Sequence, residues 1–495
     1  MSNTDVVEVG IAGADVEASL AGMALGRPRL RFGRTVALSV GIQGPTAGVI
    51  VGPAVLAGIV GGSGALAYLL GLVAMGFVAY AFVLFSRSFN SAGSVYAYNG
   101  AALGPSYGFV SAWSLLLVYT SFAAAVYAST ADIAQSLFAA WGIHLWWVWF
   151  ALVGFALTVV FAYLSIGLSS AVIFACEGLA IALLAVVGIA VVVSGGAHHH
   201  PALSFAPFHL HGIAFSVLGL GVVNAFGAFS GFEGAATLGE EARRSTRTIP
   251  AAVAWSLAGS GIAYVVFTWI ADNAYASPGA LAADPAPFVH LARAHLGPAM
   301  ADAVNIAGVI SAFGAQLACI NAANRILFAL GRDLTRPAGR ARALLTLTSR
   351  RHGSPIGALA VTAGASIAAL LAFSFEASAV RALTIIVEFG AYLMIVTYLL
   401  TVVAAIAWAW RRQRRPLPLA VLATGLAVLG YVLYDTFVPL PPAPFNWVIV
   451  ASAAALATGI GIAAAPVVRR RLQASSLLRA SRLQVRGAPV TETLT

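Results

Sequence analysis

The sequence predicts an all-α polytopic membrane protein with twelve transmembrane helices, for three reasons. Of the 495 residues, 60% are hydrophobic and 9% are charged, whereas about a quarter of the residues of a soluble domain are charged. Apolar runs of about 20 residues, the length that crosses a bilayer as an α-helix, recur along nearly the whole chain. The basic residues are also distributed unevenly between these runs.

The apolar runs define the predicted spans and the tails that flank them. The spans are at residues 35–60, 65–86, 106–130, 146–166, 170–194, 212–238, 250–271, 299–331, 356–375, 382–408, 417–437 and 446–466. The eighth run is too long for one span, so part of it is expected to extend beyond the membrane. Residues 1–33 and 469–495 are predicted to be tails on either side of a transmembrane domain, 34–468. Residues 1–33 and those beyond Arg471 are expected to be mobile.

All 27 basic residues are arginines, and their positions predict the orientation. If the N-terminus is cytoplasmic, 25 arginines fall on the cytoplasmic side and only Arg293 and Arg381 fall outside, as the positive-inside rule requires. We therefore expect a protein of the cell membrane with both termini in the cytoplasm. The net charge of +10 reflects this orientation within the lipid bilayer, and no nucleic-acid partner is expected.

Spans one and six are interrupted by glycine and proline. The first contains Gly41-Ile42-Gln43-Gly44-Pro45-Thr46-Ala47-Gly48, and the sixth contains Phe226-Gly227-Ala228-Phe229-Ser230-Gly231-Phe232-Glu233-Gly234. Proline removes a backbone donor, and glycine weakens a helix. Non-helical backbone at membrane depth is tolerated only where it is buried in protein or lines a cavity. We predict that the backbone is non-helical near residues 43–47 and 229–231 and that these two breaks contact one another.

The two interrupted spans lie five spans apart, which is an odd offset. Two sets of five spans would then cross the membrane in opposite directions, as in an inverted repeat with its substrate site at the midplane. The repeats are predicted at 35–194 and 212–408, with the helices of 417–466 outside them. Alternatively, the small residues serve only close helix packing.

Three ordered motifs resemble the amino acid–polyamine–organocation permeases, which share the LeuT-type fold of five plus five inverted spans. They are Phe226-x-Ala228-x-x-Gly231-Phe232-Glu233 with Glu240-Glu241 and Arg247-x-Ile249-Pro250; Ser91-Ala92-Gly93-Ser94-Val95-Tyr96 with Gly104-Pro105; and Asn324-Arg325 with Ala329-Leu330-Gly331-Arg332-Asp333. The first span departs from the family pattern, because Thr46-Ala47 replace Gly-Ser and Pro45 precedes them.

This resemblance implies a secondary active transporter that moves amino acids by alternating access, either coupled to protons or as an exchanger. A permease for polyamines or other organic amines is the alternative, and a transporter-like nutrient receptor is a remote one. The chain has no nucleotide-binding P-loop and no motif of a membrane enzyme, and no cofactor is expected.

The interrupted helices predict where a small-molecule substrate binds. The first turn of a half-helix presents unpaired N–H groups and a positive dipole end, which suit a carboxylate. We assign the carboxylate to the amides of Thr46, Ala47 and Gly48, and the ammonium group to carbonyls near Ile42, Gln43, Ala225 and Phe226. The other predicted binding residues are Phe229, Ser230 and Gly231. Phe226 and Phe229 either gate the pocket or simply pack.

Two glutamates within spans are candidates for proton coupling, since a carboxylate in hydrocarbon is costly and normally functional. Glu233 begins the second half of span six, where it could carry a proton, pair with a cationic substrate or accept hydrogen bonds from the open backbone. Glu177 is expected near the cytoplasmic end of span five, away from both breaks. It either couples protons or is an interfacial residue reached by water.

Metal ions are not expected at the substrate site. Ser311 is the one hydroxyl that span eight offers between residues 304 and 334, and a cation site needs several oxygens, so transport is expected to be independent of sodium. Five histidines, His198, His199, His200, His209 and His211, lie in an external loop. Their spacing could build a zinc site, although a polar loop without a metal is the simpler interpretation.

Overall fold

The computed structural model describes residues 30–89, 91, 93–195, 204–210, 212–334, 339–376, 378–412 and 415–475. These residues form eighteen α-helices and three 3₁₀ segments. Within them the only β-type pairs are two isolated bridges. An all-helical architecture is expected in a bilayer, because a helix satisfies its own backbone hydrogen bonds where water cannot.

The first half of the chain contains eight α-helices. They are α1 (Phe32–Gln43), α2 (Pro45–Val60), α3 (Gly64–Ser86), α4 (Val95–Ala102), α5 (Pro105–Ala140), α6 (Trp147–Tyr163), α7 (Ile166–Ser194) and α8 (Phe215–Ala228). The 3₁₀ segments are Gly61–Ser63, Ala206–Phe208 and Phe232–Leu238.

The second half contains ten α-helices, of which four are short. They are α9 (Ser245–Ala274), α10 (Pro278–Ala282), α11 (Pro287–Leu296), α12 (Pro298–Leu334), α13 (Arg340–Leu345), α14 (Ile356–Leu371), α15 (Ala379–Arg412), α16 (Pro416–Phe437), α17 (Phe445–Ala464) and α18 (Pro466–Ala474). Proline stands at the first position of many of these helices, where its missing N–H removes no intrahelical bond.

Nine stretches of the described residues are long and apolar enough to cross a membrane. One of them, Phe32–Ser86, contains α1, α2 and α3, and two further apolar helices, α6 and α14, are shorter. The prediction of an all-helical, multi-pass protein is therefore confirmed. The count of twelve spans, the domain boundaries and the inverted repeat stay predictions.

Long helices surround the interrupted ones. Helix α5 packs against α12 and α15, and α12 also contacts α7 and α1. Helix α9 packs against α3, α1 and α2, and it also contacts the segment Phe232–Leu238. The broken backbone is thus enclosed by protein, and this satisfies the condition for irregular backbone at membrane depth.

The parts of both predicted tails that the structure describes are attached to the transmembrane helices. Leu30 is buried, and its N–H donates to the Glu241 carbonyl at 3.1 Å. Near the other end of the chain, Arg471 of α18 donates to the Leu334 carbonyl at 2.5 Å, and Ser475 donates to Asp333 at 2.5 Å. A basic side chain that bonds the last carbonyl of α12 acts as a helix cap. The described end of each predicted tail therefore packs against the transmembrane helices, and the mobility of the tails stays a prediction.

Candidate functional site

The first predicted break is a single residue wide. Helix α1 ends at Gln43, α2 begins at Pro45, and Gly44 between them is left-handed, with φ 51° and ψ 53°. Glycine is the residue that adopts this conformation without strain. The break lies within the predicted range of residues 43–47 but is narrower, because Pro45 restarts the helix at once.

The second predicted break spans Phe229 to Gly231. Helix α8 ends at Ala228, and Gly231 has φ 103° before the 3₁₀ segment Phe232–Leu238 begins. The continuation is a 3₁₀ helix rather than the α-helix that a second half-span implies. A 3₁₀ segment of this length is unusual and often marks a functional hinge.

The two breaks contact one another, as predicted. The Gln43 side-chain amide donates to the Phe229 carbonyl at 3.3 Å, and Ser39 of α1 donates to the Phe232 carbonyl at 2.7 Å. Gly231 lies so close to Ile42 that a Cβ on Gly231 would be 2.2 Å from Ile42 Cγ2. The absence of a side chain at Gly231 therefore allows the two interrupted spans to meet.

Glu177 lies at the first break, which corrects the expectation that it is far from both. Its Oε1 accepts from the Thr46 N–H and from the Thr46 hydroxyl, both at 2.8 Å, and its Oε2 accepts from the Ser311 hydroxyl at 2.6 Å. Helix α7 begins at Ile166, so Glu177 is about 16 Å from that end. Glu177 contacts α2 because it lies well inside α7 and not at its end, although the two segments are far apart in sequence.

Glu177 occupies part of the predicted carboxylate site. Pro45 has no N–H, the Thr46 N–H bonds Glu177, and the Gly48 N–H donates to the Gly44 carbonyl at 3.0 Å. The Ala47 N–H is the remaining donor of this turn, and Ala47 and Gly48 are only half-buried. A protein carboxylate thus already uses the helix N-terminus, where a negative charge is stabilised.

Gln43 connects the first break to α9. Its Oε1 accepts from Ser260 at 3.0 Å, and its carbonyl accepts from the Tyr264 hydroxyl at 3.1 Å. Tyr264 also stacks on Tyr68 and makes an edge contact with Phe229, with ring centroids 5.0 and 5.6 Å apart. Of the predicted ammonium acceptors, the Gln43 carbonyl therefore has a hydroxyl partner in this conformation.

The other predicted binding residues lie around the second break. Ala225, Phe226 and Phe229 are buried, and the Phe226 carbonyl accepts from the Phe229 N–H at 3.2 Å. Ser230 is half-buried. Phe229 is fully buried and makes edge contacts with the rings of Tyr68 and Tyr264, so it packs in this conformation, and its gating role stays a prediction.

Glu233 is fully buried and accepts hydrogen bonds from two tyrosines. Tyr119 of α5 donates to Oε1 at 2.7 Å, and Tyr398 of α15 donates to Oε2 at 2.6 Å. The Gly231 N–H donates to Oε2 at 3.2 Å. Of the three predicted roles, acceptor for the open backbone is the one for which the structure shows contacts.

Comparison with known proteins places these features in a family. The amino acid permease family matches residues 19–463, which is most of the chain. The chain belongs to the amino acid permease family. It is a transporter, and the predicted resemblance is confirmed.

Individual relatives of the permease are similar at low identity. An uncharacterized transporter of Mycobacterium tuberculosis is 28% identical over 450 residues, which cover 89% of this chain and 92% of the relative. The methylthioribose transporter of Bacillus subtilis is 25% identical over 310 residues, covering 59% and 62%. The branched-chain amino acid permease BcaP of Lactococcus lactis is 26% identical over 294 residues, covering 55% and 61%.

Two ion pairs join the end of the interrupted sixth span to α12 of the permease. Arg325 and Glu241 form a buried bidentate pair, with N···O distances of 2.6 and 3.1 Å. Arg332 and Glu240 form a second, half-buried pair at 2.9 and 3.2 Å. Both carboxylates belong to the sixth-span motif, Glu240-Glu241. The sequence alone does not show that their partners are Arg332 and Arg325.

The predicted zinc loop lies mostly outside the described residues. His198, His199, His200 and His211 are outside them, and His209 is inside. In the described part of the permease, no group of three or more metal-binding side chains could hold a metal ion. The zinc site stays untested.

Sequence reasoning missed the hydroxyls that hold these groups. Tyr119, Tyr398, Tyr264 and Ser260 were not among the predicted site residues, because isolated aromatic and serine residues in apolar helices are typical of packing. One signal was available for the α9 residues: Ser260 and Tyr264 lie four positions apart, on one helix face.

Proposed function

We propose that this permease is a secondary active transporter that moves amino acids across the cell membrane by alternating access, driven by protons or working as an exchanger. Residues 34–468 form the transporter domain in this proposal, with inverted repeats at 35–194 and 212–408 and the helices of 417–466 outside them. Both tails are cytoplasmic.

The position of Glu177 is the observation that best supports proton coupling. The substrate carboxylate is assigned to the Ala47 N–H, for which the described residues show no acceptor outside its own helix, beside the Thr46 N–H that Glu177 already uses. Two carboxylates at one helix N-terminus repel each other unless one takes up a proton. Binding of substrate and binding of a proton to Glu177 then favour each other, and this reciprocal linkage is the basis of symport.

The remaining contacts support an amino acid as the substrate. Carbonyls around Ile42, Gln43, Ala225 and Phe226 are the proposed acceptors for the ammonium group, and the Gln43 carbonyl becomes available when Tyr264 turns away. Phe229, Ser230 and Gly231 complete the pocket. One relative is named a branched-chain amino acid permease, which agrees with this substrate class.

Sodium is not expected to drive this transport. The Ser311 hydroxyl of α12 donates to Glu177 at 2.6 Å, so its proton points toward the carboxylate. A cation site needs several oxygens facing one point. We therefore propose that the coupling ion is a proton bound to Glu177 and not a metal cation.

Uptake into proteoliposomes tests the proposal. Uptake of labelled amino acids is measured under three conditions. The first has an imposed pH gradient, and the second has an imposed sodium gradient. The third has no ion gradient, but the vesicles are preloaded with the same unlabelled amino acid. We expect accumulation driven by the pH gradient or by preloaded substrate. Accumulation driven only by sodium contradicts the proposal, and binding without any uptake favours a receptor.

An organic amine permease is the second candidate, and the same Glu177 carboxylate favours it. A cation without a carboxylate would pair with Glu177 directly, with no proton required. These classes are separated by competition against labelled substrate. The competitors are an amino acid, its decarboxylated amine and methylthioribose, which is included because one relative is named a methylthioribose transporter. Stronger competition by the amine would replace the amino acid proposal.

A further inference from the structure

Helix α9 carries a stripe of polar side chains, of which the proposed mechanism uses only Tyr264. Between Ala251 and Asp272, all hydroxyl and carboxyl groups fall on five residues spaced by four: Ser256, Ser260, Tyr264, Thr268 and Asp272. Residues four apart are neighbours on a helix face. Sixteen residues of helix span about 24 Å, most of the thickness of the hydrocarbon layer.

The inner end of the stripe meets both broken spans. Ser256 donates to the Phe232 carbonyl at 3.4 Å, next to the second break. Ser260 and Tyr264 donate to the side chain and the carbonyl of Gln43, at the first break. Gln43 lies three residues before Thr46, which holds Glu177.

The outer end of the stripe has two buried polar atoms without partners among the described residues. Asp272 Oδ2 accepts from the Ala65 N–H at 3.2 Å, whereas Asp272 Oδ1 and Thr268 Oγ1 have none. Buried threonines elsewhere in this chain, such as Thr158 and Thr397, donate to the carbonyl four residues earlier. Thr268 is fully buried and does not.

Gly64 leaves space between these two side chains. A Cβ on Gly64 would lie 3.0 Å from Thr268 Cγ2 and 3.3 Å from both Asp272 carboxylate oxygens. Asp272 as a whole residue is half-buried, although its Oδ1 is buried, so external water meets the exposed part of the residue and not this oxygen directly. Buried polar groups without a protein partner are commonly satisfied by ordered water.

This end of α9 is the one far from three of the arginines. The helix begins next to Arg243, Arg244 and Arg247, and Asp272 lies near its opposite end. Other titratable or charged side chains on the elements around this end, among the described residues, are Tyr68, His209, Tyr275, Asp284, His290, Arg293 and His295. Asp284 is engaged by Tyr275 and His290, and no described contact joins these groups to Asp272.

We infer that Asp272 and Thr268 form an external proton-entry site, from which protons pass along the α9 stripe to the broken first span. A hydronium ion in the external water gives its proton to the Asp272 carboxylate, which forms an O–H bond there and leaves a water molecule. That bond breaks as the proton passes to an ordered water beside Thr268, and Asp272 returns to a carboxylate. The final acceptor of the proton is the Glu177 carboxylate at the first break. The inference rests on the proposed proton-coupled transport and adds its external entry.

Entry and coupling have different kinetic signatures. Loss of the entry residue slows proton delivery but leaves the coupling ratio unchanged. The Asp272→Asn variant should therefore lower the initial rate of uptake driven by a pH gradient by about a hundredfold, yet reach the same final accumulation. Exchange at equal pH on both sides should remain at the wild-type rate. Thr268→Val should lower the initial rate in the same direction.

The test uses full-length protein in proteoliposomes with a mixture of labelled amino acids. The matched control is Asp302→Asn, which changes a half-buried aspartate near the same end of α12. Asparagine can still accept from the Ala65 N–H, so a purely structural Asp272 predicts wild-type behaviour. A wild-type initial rate and pH dependence in Asp272→Asn would overturn the inference.

A second measurement needs no substrate and separates this inference from the proposed function. Infrared difference spectra, recorded as the pH is stepped, report protonated carboxyl groups by their C=O stretch. We expect a carboxyl band that Asp272→Asn loses and Asp302→Asn retains. If the wild type transports nothing, the proposed function fails, but the band still shows whether Asp272 takes up a proton. If Asp272→Asn leaves the band unchanged, the proton-entry site is wrong and the proposed function is unaffected.

Discussion

At the scale of single residues, Glu177 shows what the sequence could and could not predict. A carboxylate in an apolar helix marks a functional candidate from composition alone. Its partners Thr46 and Ser311 come from two other helices, 131 and 134 residues away in sequence. One sequence contains no information about which faces of these helices meet, so the residue was identified but its location was wrong.

Glu177→Gln should abolish accumulation on a pH gradient while equilibrium substrate binding survives. Glutamine keeps the acceptor for Thr46 but cannot release a proton. With one proton per substrate, a gradient of one pH unit supports about tenfold accumulation, and the variant should approach equal concentrations on both sides. Glu388→Gln, which changes a half-buried glutamate of α15, is the control. Wild-type accumulation by Glu177→Gln would transfer the coupling role to Glu233.

Tyr398→Phe should destabilise the folded permease, because it removes one of the two hydroxyls that bond the buried Glu233. Leaving a buried acceptor with one donor fewer costs about 1–3 kcal/mol. The thermal unfolding midpoint in detergent measures the effect. Tyr127→Phe is the matched control, since the equally buried Tyr127 has only a long contact of 3.5 Å with Ser366. Equal midpoints for the two variants would contradict the structural role.

At the scale of elements, the breaks were predictable because glycine and proline act locally on the backbone. The 3₁₀ form of Phe232–Leu238 was not, since it depends on tertiary contacts such as Ser39, whose hydroxyl accepts from the Ala235 N–H at 2.8 Å. The tyrosines around Glu233 were missed for the same reason. Local chemistry therefore predicts where a helix stops, whereas the packing around it decides how the chain continues.

Gly48→Leu or Gly231→Leu should abolish uptake, because each glycine permits a close approach within the site. A Cβ on Gly48 would lie 2.4 Å from the Tyr264 hydroxyl, and one on Gly231 would meet Ile42. Either leucine displaces a side chain that holds the broken spans together. Uptake normalised to the amount of inserted protein measures the loss. Gly259→Leu, on an open face of α9, should transport normally; normal uptake by both site variants would disprove the assignment.

The two ion pairs between the sixth span and α12 should differ in their contribution to stability. Glu241→Gln leaves the buried Arg325 without its carboxylate, which costs about 3–5 kcal/mol. Glu240→Gln affects a pair whose side chains are 19% and 21% exposed, so water can solvate the remaining Arg332 and the loss of stability should be smaller. Thermal unfolding of both variants measures the difference. Equal destabilisation would show that burial does not distinguish these pairs.

At the scale of the whole molecule, composition predicted the class of protein, and the positions of the arginines predict its orientation. A fluorescent protein fused after the last residue should fold and fluoresce in the cytoplasm, and alkaline phosphatase fused at the same place should be inactive. Both reporters are compared in intact cells at matched expression. An active phosphatase would invert the topology and place Asp272 on the cytoplasmic side.

The attachment of α18 to α12 determines where such reporters and purification tags can be joined. A fusion placed directly after α17 would delete Arg471 and Ser475. The end of α12 would then lose the arginine that caps the Leu334 carbonyl and the hydroxyl that donates to Asp333. The ion pairs of Arg325 and Arg332 lie on that same helix. A chain shortened there would combine loss of transport with loss of support for α12, so tags belong beyond Ser475.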